Sequence, residues 1–236
     1  MTANPNAKFF WELIIFKVED ELYKVPKHRF ANNPYSPFTY IFTLPQTTTS
    51  SKGMSSDNPI VLEQISKIEF ERFLGVLYDP QFYTINDDSS ADTYAETWLS
   101  VLKLSSLWNF LDVRKIAIER IEKAVTGPSF TNIDRLLAGS RYGVLQLFIA
   151  GVFAIGRDPS YDIDLAGARR LGLERTVALF SLKGNFRKFD KEAEDGVIER
   201  EKALEGKRLA FIKLFADEIQ HLLAMHQVYE PVSQSD

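Results

Sequence analysis

The chain contains no cysteine among its 236 residues. That single count excludes disulfides, thiolate nucleophiles and cysteine-built metal sites. Histidine is nearly as scarce, with only His28, His221 and His226. His221 and His226 do not share a helix face well, and His28 is remote from both in sequence. A metal site is therefore not expected, and the three read as solvated surface side chains. Positive charge is short too: 28 Lys and Arg stand against 32 Asp and Glu, a formal charge of -4. Such a balance gives no general electrostatic pull toward nucleic acid or anionic lipid. Long apolar runs are also missing. The stretch Val144 to Ile155 is broken by Gln146 and Gly151. It falls short of the roughly 20 residues a bilayer span needs and reads as a buried helix. The opening residues Met1-Thr2-Ala3-Asn4-Pro5-Asn6 lack the basic start and apolar core of a signal peptide. No membrane association is expected, and the expected setting is intracellular, cytoplasmic or nuclear.

Signatures of catalysis are equally thin. No nucleophile elbow of the Gly-x-Ser-x-Gly kind occurs, and no Gly-Lys-Ser/Thr phosphate loop. Gly139, Gly143, Gly151 and Gly156 do not follow a strand, so helix ends and close helix packing account for them. Asp87-Asp88 with Asp92 lacks the glycine and terminal glutamate of a calcium loop and reads as polar loop. Gly184-Asn185-Phe186-Arg187-Lys188 is basic with one aromatic, but Asp190, Glu192 and Glu194 follow at once, which spoils it as a nucleic-acid patch. The expectation is a protein that is not an enzyme and holds no cofactor.

What the chain does have is core. Hydrophobic residues make up 45%, charged residues 25% and aromatics 13%, including 18 Phe. This is ordinary globular composition with large aromatic anchors to spare. Residues 9–25 read as a β-hairpin with its polar break at Glu19-Asp20-Glu21, ended by Pro26. Phe38, Ile41 and Phe42 share helical spacing. Residues 45–58 read as a surface loop, followed by a short strand at Ile60-Val61-Leu62. Ser66-Lys67-Ile68-Glu69 is a capping box opening a helix with Phe70, Phe73, Leu74 and Leu77 on one face and Asp79-Pro80 at its end. Thr93-Tyr94-Ala95-Glu96 reads as a second box, with Trp98, Val101, Leu102 and Leu104 inward. A break near Asn109 precedes a further helix with Val113, Ile116, Ala117 and Ile121 inward. Thr131 to Asp134 marks another helix start. Residues 183–195 read as a polar linker, and residues 195–228 as one long amphipathic helix with Ile198, Leu204, Phe211, Phe215, Ile219 and Leu222 as its apolar positions. Gly206 is its weak point, costing about 1 kcal/mol relative to alanine.

Strands early and helices late define an α+β chain, a small sheet covered by helices. The succession of motifs over the first 125 residues resembles the BTB/POZ family, in particular its divergent fungal members. The matching elements are the hairpin ending Leu22-Tyr23-Lys24-Val25, the segment Phe38-Thr39-Tyr40-Ile41-Phe42, the stretch Ser56 to Glu63, the helix Phe70 to Tyr78, and the helix pair Trp98–Leu107 and Phe110–Val125. Arg141-Tyr142-Gly143-Val144 and Arg170-Leu171-Gly172-Leu173-Glu174 look like the helical tail of those members. The resemblance implies a BTB/POZ-like domain at 9–125, a helical extension at 126–184 and the C-terminal helix at 195–228.

It further implies a protein-protein interaction module that forms a homodimer or recruits a partner. The implied dimer face is Trp11, Glu12, Lys27 and Arg29. Where many members have Val-His-Arg or Val-His-Lys after the hairpin, this chain has Val25-Pro26-Lys27. Glu12 and Lys27 stand where dimeric members pair an aspartate with a basic residue. Some relatives serve as substrate adaptors of cullin-type ubiquitin ligases. The hydrophobic-x-glutamate motif that some of them use on the cullin has no clear match here, and no separate substrate-binding domain is visible. A third reading is a structural scaffold acting through the C-terminal helix.

Overall fold

The structure is a computed structural model that describes residue 6 and residues 10–43, 52–79, 81–82, 91–124, 126–127 and 130–229. It is mixed α+β, a small sheet followed by helices, and it divides into two compact units, residues 1–120 and 121–236.

The first unit is built around β1 (Leu13–Val18), the central strand of a three-stranded sheet of order β2-β1-β3. β2 (Glu21–Pro26) pairs with it antiparallel, from Val18↔Glu21 to Leu13↔Pro26. β3 (Ile60–Leu62) pairs with it parallel, Phe16 opposite Ile60. The hairpin turn is Glu19-Asp20, with Glu19 at φ 53°, and Glu21 already belongs to β2. Ile14, Phe16 and Val18 alternate onto the covered face and are fully buried. Pro26 sits at the end of an edge strand, where its missing N–H costs no ladder bond.

Two short helices follow, α1 (His28–Ala31) and α2 (Pro37–Thr43). α3 (Lys67–Tyr78) opens with the expected capping box. Glu69 N donates to Ser66 Oγ at 3.3 Å, and Ser66 N donates to the Glu69 carboxylate at 3.1 Å. α3 ends at Asp79, as read from the sequence.

α3 packs on α4 (Ala91–Leu107), and α5 (Leu111–Lys123) follows after Asn109 at φ 55°. The box at Thr93 is not the start of α4. The helix begins earlier, at Ala91, so Thr93 lies inside it. The core of the unit is aromatic. Phe16 meets Phe30, Phe38 and Phe70 at ring separations of 4.8–5.5 Å, and Phe73 meets Trp108 and Phe110 at 5.1 and 5.2 Å. Most of these rings meet edge to face, the arrangement their quadrupoles favour.

The second unit is helical: α6 (Asn132–Tyr142), α7 (Leu145–Arg157), α8 (Leu165–Leu171), α9 (Leu173–Glu194), α10 (Arg200–Leu214) and α11 (Ala216–Val228). α6 starts on a second capping box, Thr131 with Asp134. It closes on Gly143 in the left-handed region, where a Cβ would stand 2.9 Å from Met225. α7 is the buried helix expected at 144–155, with Leu147, Phe148, Val152 and Ile155 inside. α6 and α7 approach so closely that a Cβ on Gly139 would stand 2.3 Å from the Phe148 nitrogen.

Three expectations are corrected here. Residues 183–195 are not a linker, because α9 runs through them to Glu194. Leu182, Lys183 and Phe186 are buried among its charged residues and bind it to the core. Residues 195–228 are not one helix. The chain turns at Phe215 (φ -122°, ψ 21°), which divides α10 from α11. Phe211, Phe215 and Leu222 are buried as expected, but Leu204 is exposed and Ala203 takes the inward place. Finally, the boundary falls at Arg120–Ile121 inside α5, and the helical extension joins α10 and α11 in one unit.

Candidate interaction surface

Antiparallel pairing at the open end of the hairpin brings Glu12 and Lys27 opposite each other. Lys27 N donates to the Glu12 carbonyl at 2.8 Å, and the side chains form an ion pair at 2.8 Å. Hydrogen bonding from the Lys27 ammonium holds the Glu12 carboxyl below its ordinary range. The pair is solvated, so it orients more than it stabilises. Lys27 also stands 5.2 Å over the ring of Phe42.

Trp11 lies beside this pair, its ring 5.6 Å from the His28 ring. His28 in turn meets Tyr78 edge-on at 6.4 Å. The Tyr78 hydroxyl donates to the Pro26 carbonyl at 2.6 Å, fastening the strand end to α3. Burial pushes the Tyr78 phenol well above its ordinary value, with the nearby Arg29 charge acting the other way.

Of the four expected interface residues, Trp11, Glu12 and Lys27 come together around the strand ends. Arg29 is exposed on α1 next to them, near enough to act on Tyr78. Sequence reasoning missed His28, Phe42 and Tyr78. It missed as well the apolar residues flanking the ion pair in sequence: Phe10, Trp11 and Leu13 are all at least two-fifths exposed. Trp11 keeps 56% of its surface in solvent. Single exposed apolar residues are ordinary, whereas several around one hairpin end make a patch.

The second unit has an open cleft of about 870 Å³, lined by Leu171, Leu173, Ala178, Leu214 and Phe215, with Lys213, Asp217 and His221 also lining it. Within it Arg175 is fully engaged. Its Nε donates to both Glu218 oxygens at 2.9 and 3.2 Å and its Nη2 to Ser140 Oγ at 2.7 Å. Ser140 donates to Glu218 at 2.9 Å. The triad ties α6, α9 and α11 together and leaves the guanidinium committed to its own chain.

Among the described residues, no group of His, Asp and Glu is placed to hold a metal ion. His28 and His221 are exposed, while His226 is half-buried. Asp87, Asp88 and the side chain of Asp92 lie outside the described residues. Phe186, the aromatic of the basic stretch at 184–188, is buried and offers no ring to a base. No described helix is long and apolar enough to cross a membrane. No family model matches the chain, and the searches of curated proteins and of solved structures give no match either.

Proposed function

We propose that this chain is a protein-protein interaction module whose first unit follows the BTB/POZ plan, and that it is not an enzyme. The observation that carries the reading is the exposed apolar group of Phe10, Trp11 and Leu13 beside the Glu12–Lys27 ion pair at the hairpin's open end. An exposed aromatic anchor beside a pre-formed polar pair is the composition of an interface centre. The order of elements agrees with it: hairpin, two short helices, a third strand parallel to β1, then a helix and a helix pair. The occupant of this face is a second copy or a protein partner. Recruitment to a cullin-type ubiquitin ligase is one role such a module serves.

Light scattering over a dilution series tests the homodimer. Trp11→Ser is expected to weaken association by about 2 kcal/mol or more, the scale of an interface anchor. Glu12→Ala is expected to cost less than 1 kcal/mol, as a rim ion pair does. A wild-type chain that stays monomeric at every concentration removes the homodimer and leaves partner recruitment.

A further inference from the structure

We propose that α9 carries a second self-association surface, on which two copies pack antiparallel with Phe180 of each copy seated over Gly184 of the other. The proposal stands on the second unit alone and does not depend on the hairpin face.

The starting observation is a row of exposed apolar residues. Leu173, Val177 and Phe180 follow one another at helical spacing on α9. Leu173 is 80% exposed, Val177 54% and Phe180 52%. The same row continues with Gly184, Arg187 and Lys191, also exposed. A 22-residue helix that leaves such a stripe in solvent has an unpartnered face.

Gly184 is the second observation. It lies in the interior of that helix, where glycine is less favourable than alanine. A Cβ placed there would meet nothing within 4 Å, so the chain's own packing gives no reason for it. The same unit holds a glycine with a clear reason. At Gly206 of α10 a Cβ would stand 2.6 Å from the ring of Phe189, so the glycine is the seat of a phenylalanine from the neighbouring helix. Gly184 is exposed, and its bare backbone has no ring over it.

The remaining charge favours a second copy running antiparallel. Glu174 stands beside Leu173 at the N-terminal end of the stripe and Lys191 closes its C-terminal end, where Arg187 donates to the Pro159 carbonyl of its own chain at 2.9 Å and Lys188 pairs with Glu192 at 3.8 Å. An antiparallel second copy brings opposite ends together. If Phe180 faces Gly184, then Val177 faces Arg187 and Leu173 faces Lys191, and all three pairs are centred on the level of Leu182. The apolar stems of Arg187 and Lys191 cover Val177 and Leu173. The Lys191 ammonium arrives beside Glu174 of the other copy. One register thus matches the ring to the glycine and the acid to the base, and a twofold axis makes both matches twice.

The test uses the full chain carrying Trp11→Ser and Leu13→Ser, so that the hairpin face cannot contribute. Solution mass is followed by light scattering across a dilution series, together with thermal melting at the lowest concentration. That protein is expected to dimerise. Gly184→Leu should weaken the dimer by roughly tenfold or more while raising the melting temperature of the monomer, because it favours the helix and blocks only the seat. Glu174→Lys should weaken association, and adding Lys191→Glu should restore it. A background protein that is monomeric throughout overturns the proposal. So does a Gly184→Leu protein that dimerises as tightly as its parent, or a Lys191→Glu change that fails to rescue Glu174→Lys. Loss of the wild-type dimer by Trp11→Ser alone would leave the hairpin reading standing and this one refuted.

Discussion

Phe16 and Phe148 are both fully buried, but their neighbours differ in kind. Phe16 belongs to a nest of rings gathered from β1, α1, α2 and α3. Phe148 lies mainly among aliphatic side chains of neighbouring helices, with Phe215 as its aromatic contact. The first unit joins residues far apart in sequence through large side chains. The second joins helices both adjacent and distant in order, through the Thr131–Asp134 cap, the Gly139 approach, the Arg175–Glu218 pair and a smaller set of rings, Phe153, Phe186, Phe211 and Phe215. The first core is vulnerable at each ring of its nest, whereas the second spreads its load over aliphatic side chains as well as rings.

The chain offers a clean way to break that contrast. Trp11, Trp98 and Trp108 are its only tryptophans, and all lie in the first unit. Tryptophan fluorescence therefore follows the first unit, while far-ultraviolet circular dichroism follows both. Phe16→Ala is expected to cost the fluorescence transition about 3–5 kcal/mol and to leave the helical transition of the second unit in place. A single shared shift in both signals would show that the two cores do not respond separately.

Glu218→Ala is the counterpart in the second unit. It strips the half-buried Arg175 of its carboxylate and is expected to cost about 1.5–3 kcal/mol, read by circular dichroism with fluorescence unchanged. Gly206→Ala comes next. Helix propensity alone favours alanine, but its Cβ would meet the Phe189 ring at 2.6 Å, so a net loss of about 1 kcal/mol is expected from overpacking. A gain there would mean that the ring moves aside freely.

The smallest effect is in acid. Burial would raise the Glu69 and Asp134 carboxyls. Their bonds outweigh it, Lys103 and Ser66 on the first, Thr131 and Arg170 on the second, and hold both below their ordinary values of 4.5 and 3.8. A lowered folded-state value means stability that is present above the unfolded value and lost as pH falls through the folded one. Glu69→Gln should therefore flatten the acid loss in the fluorescence signal and Asp134→Asn in the helical signal, each by about 1 kcal/mol.

What the sequence disclosed follows from distance along the chain. The caps at Ser66 and Thr131 were legible because donor and acceptor lie within one turn. The buried face of α7 was legible because Leu147, Phe148, Val152 and Ile155 recur at helical spacing with no charge between them. The stretch at 183–195 was misread because Leu182 and Phe186 stand among charges, and composition hid the spacing. The turn at Phe215 leaves no proline or glycine to announce it. At the hairpin, a strand pairing that sets Glu12 against Lys27 could be anticipated. The Tyr78–Pro26 bond, spanning 52 residues, could not.

The place of β1 in its sheet also bears on how the chain assembles during synthesis. β1 lies in the middle, and its parallel partner is β3, more than forty residues downstream. The ring nest needs Phe110 as well, which meets Phe30 and Phe73. Closing such separations costs loop entropy before the contacts repay it. The part that leaves the ribosome first therefore cannot complete its core until nearly half the polypeptide has emerged. The later part closes over comparable spans: Ser140 reaches Glu218, 78 residues on, and Phe148 meets Phe215, so its core in turn waits for the last helix.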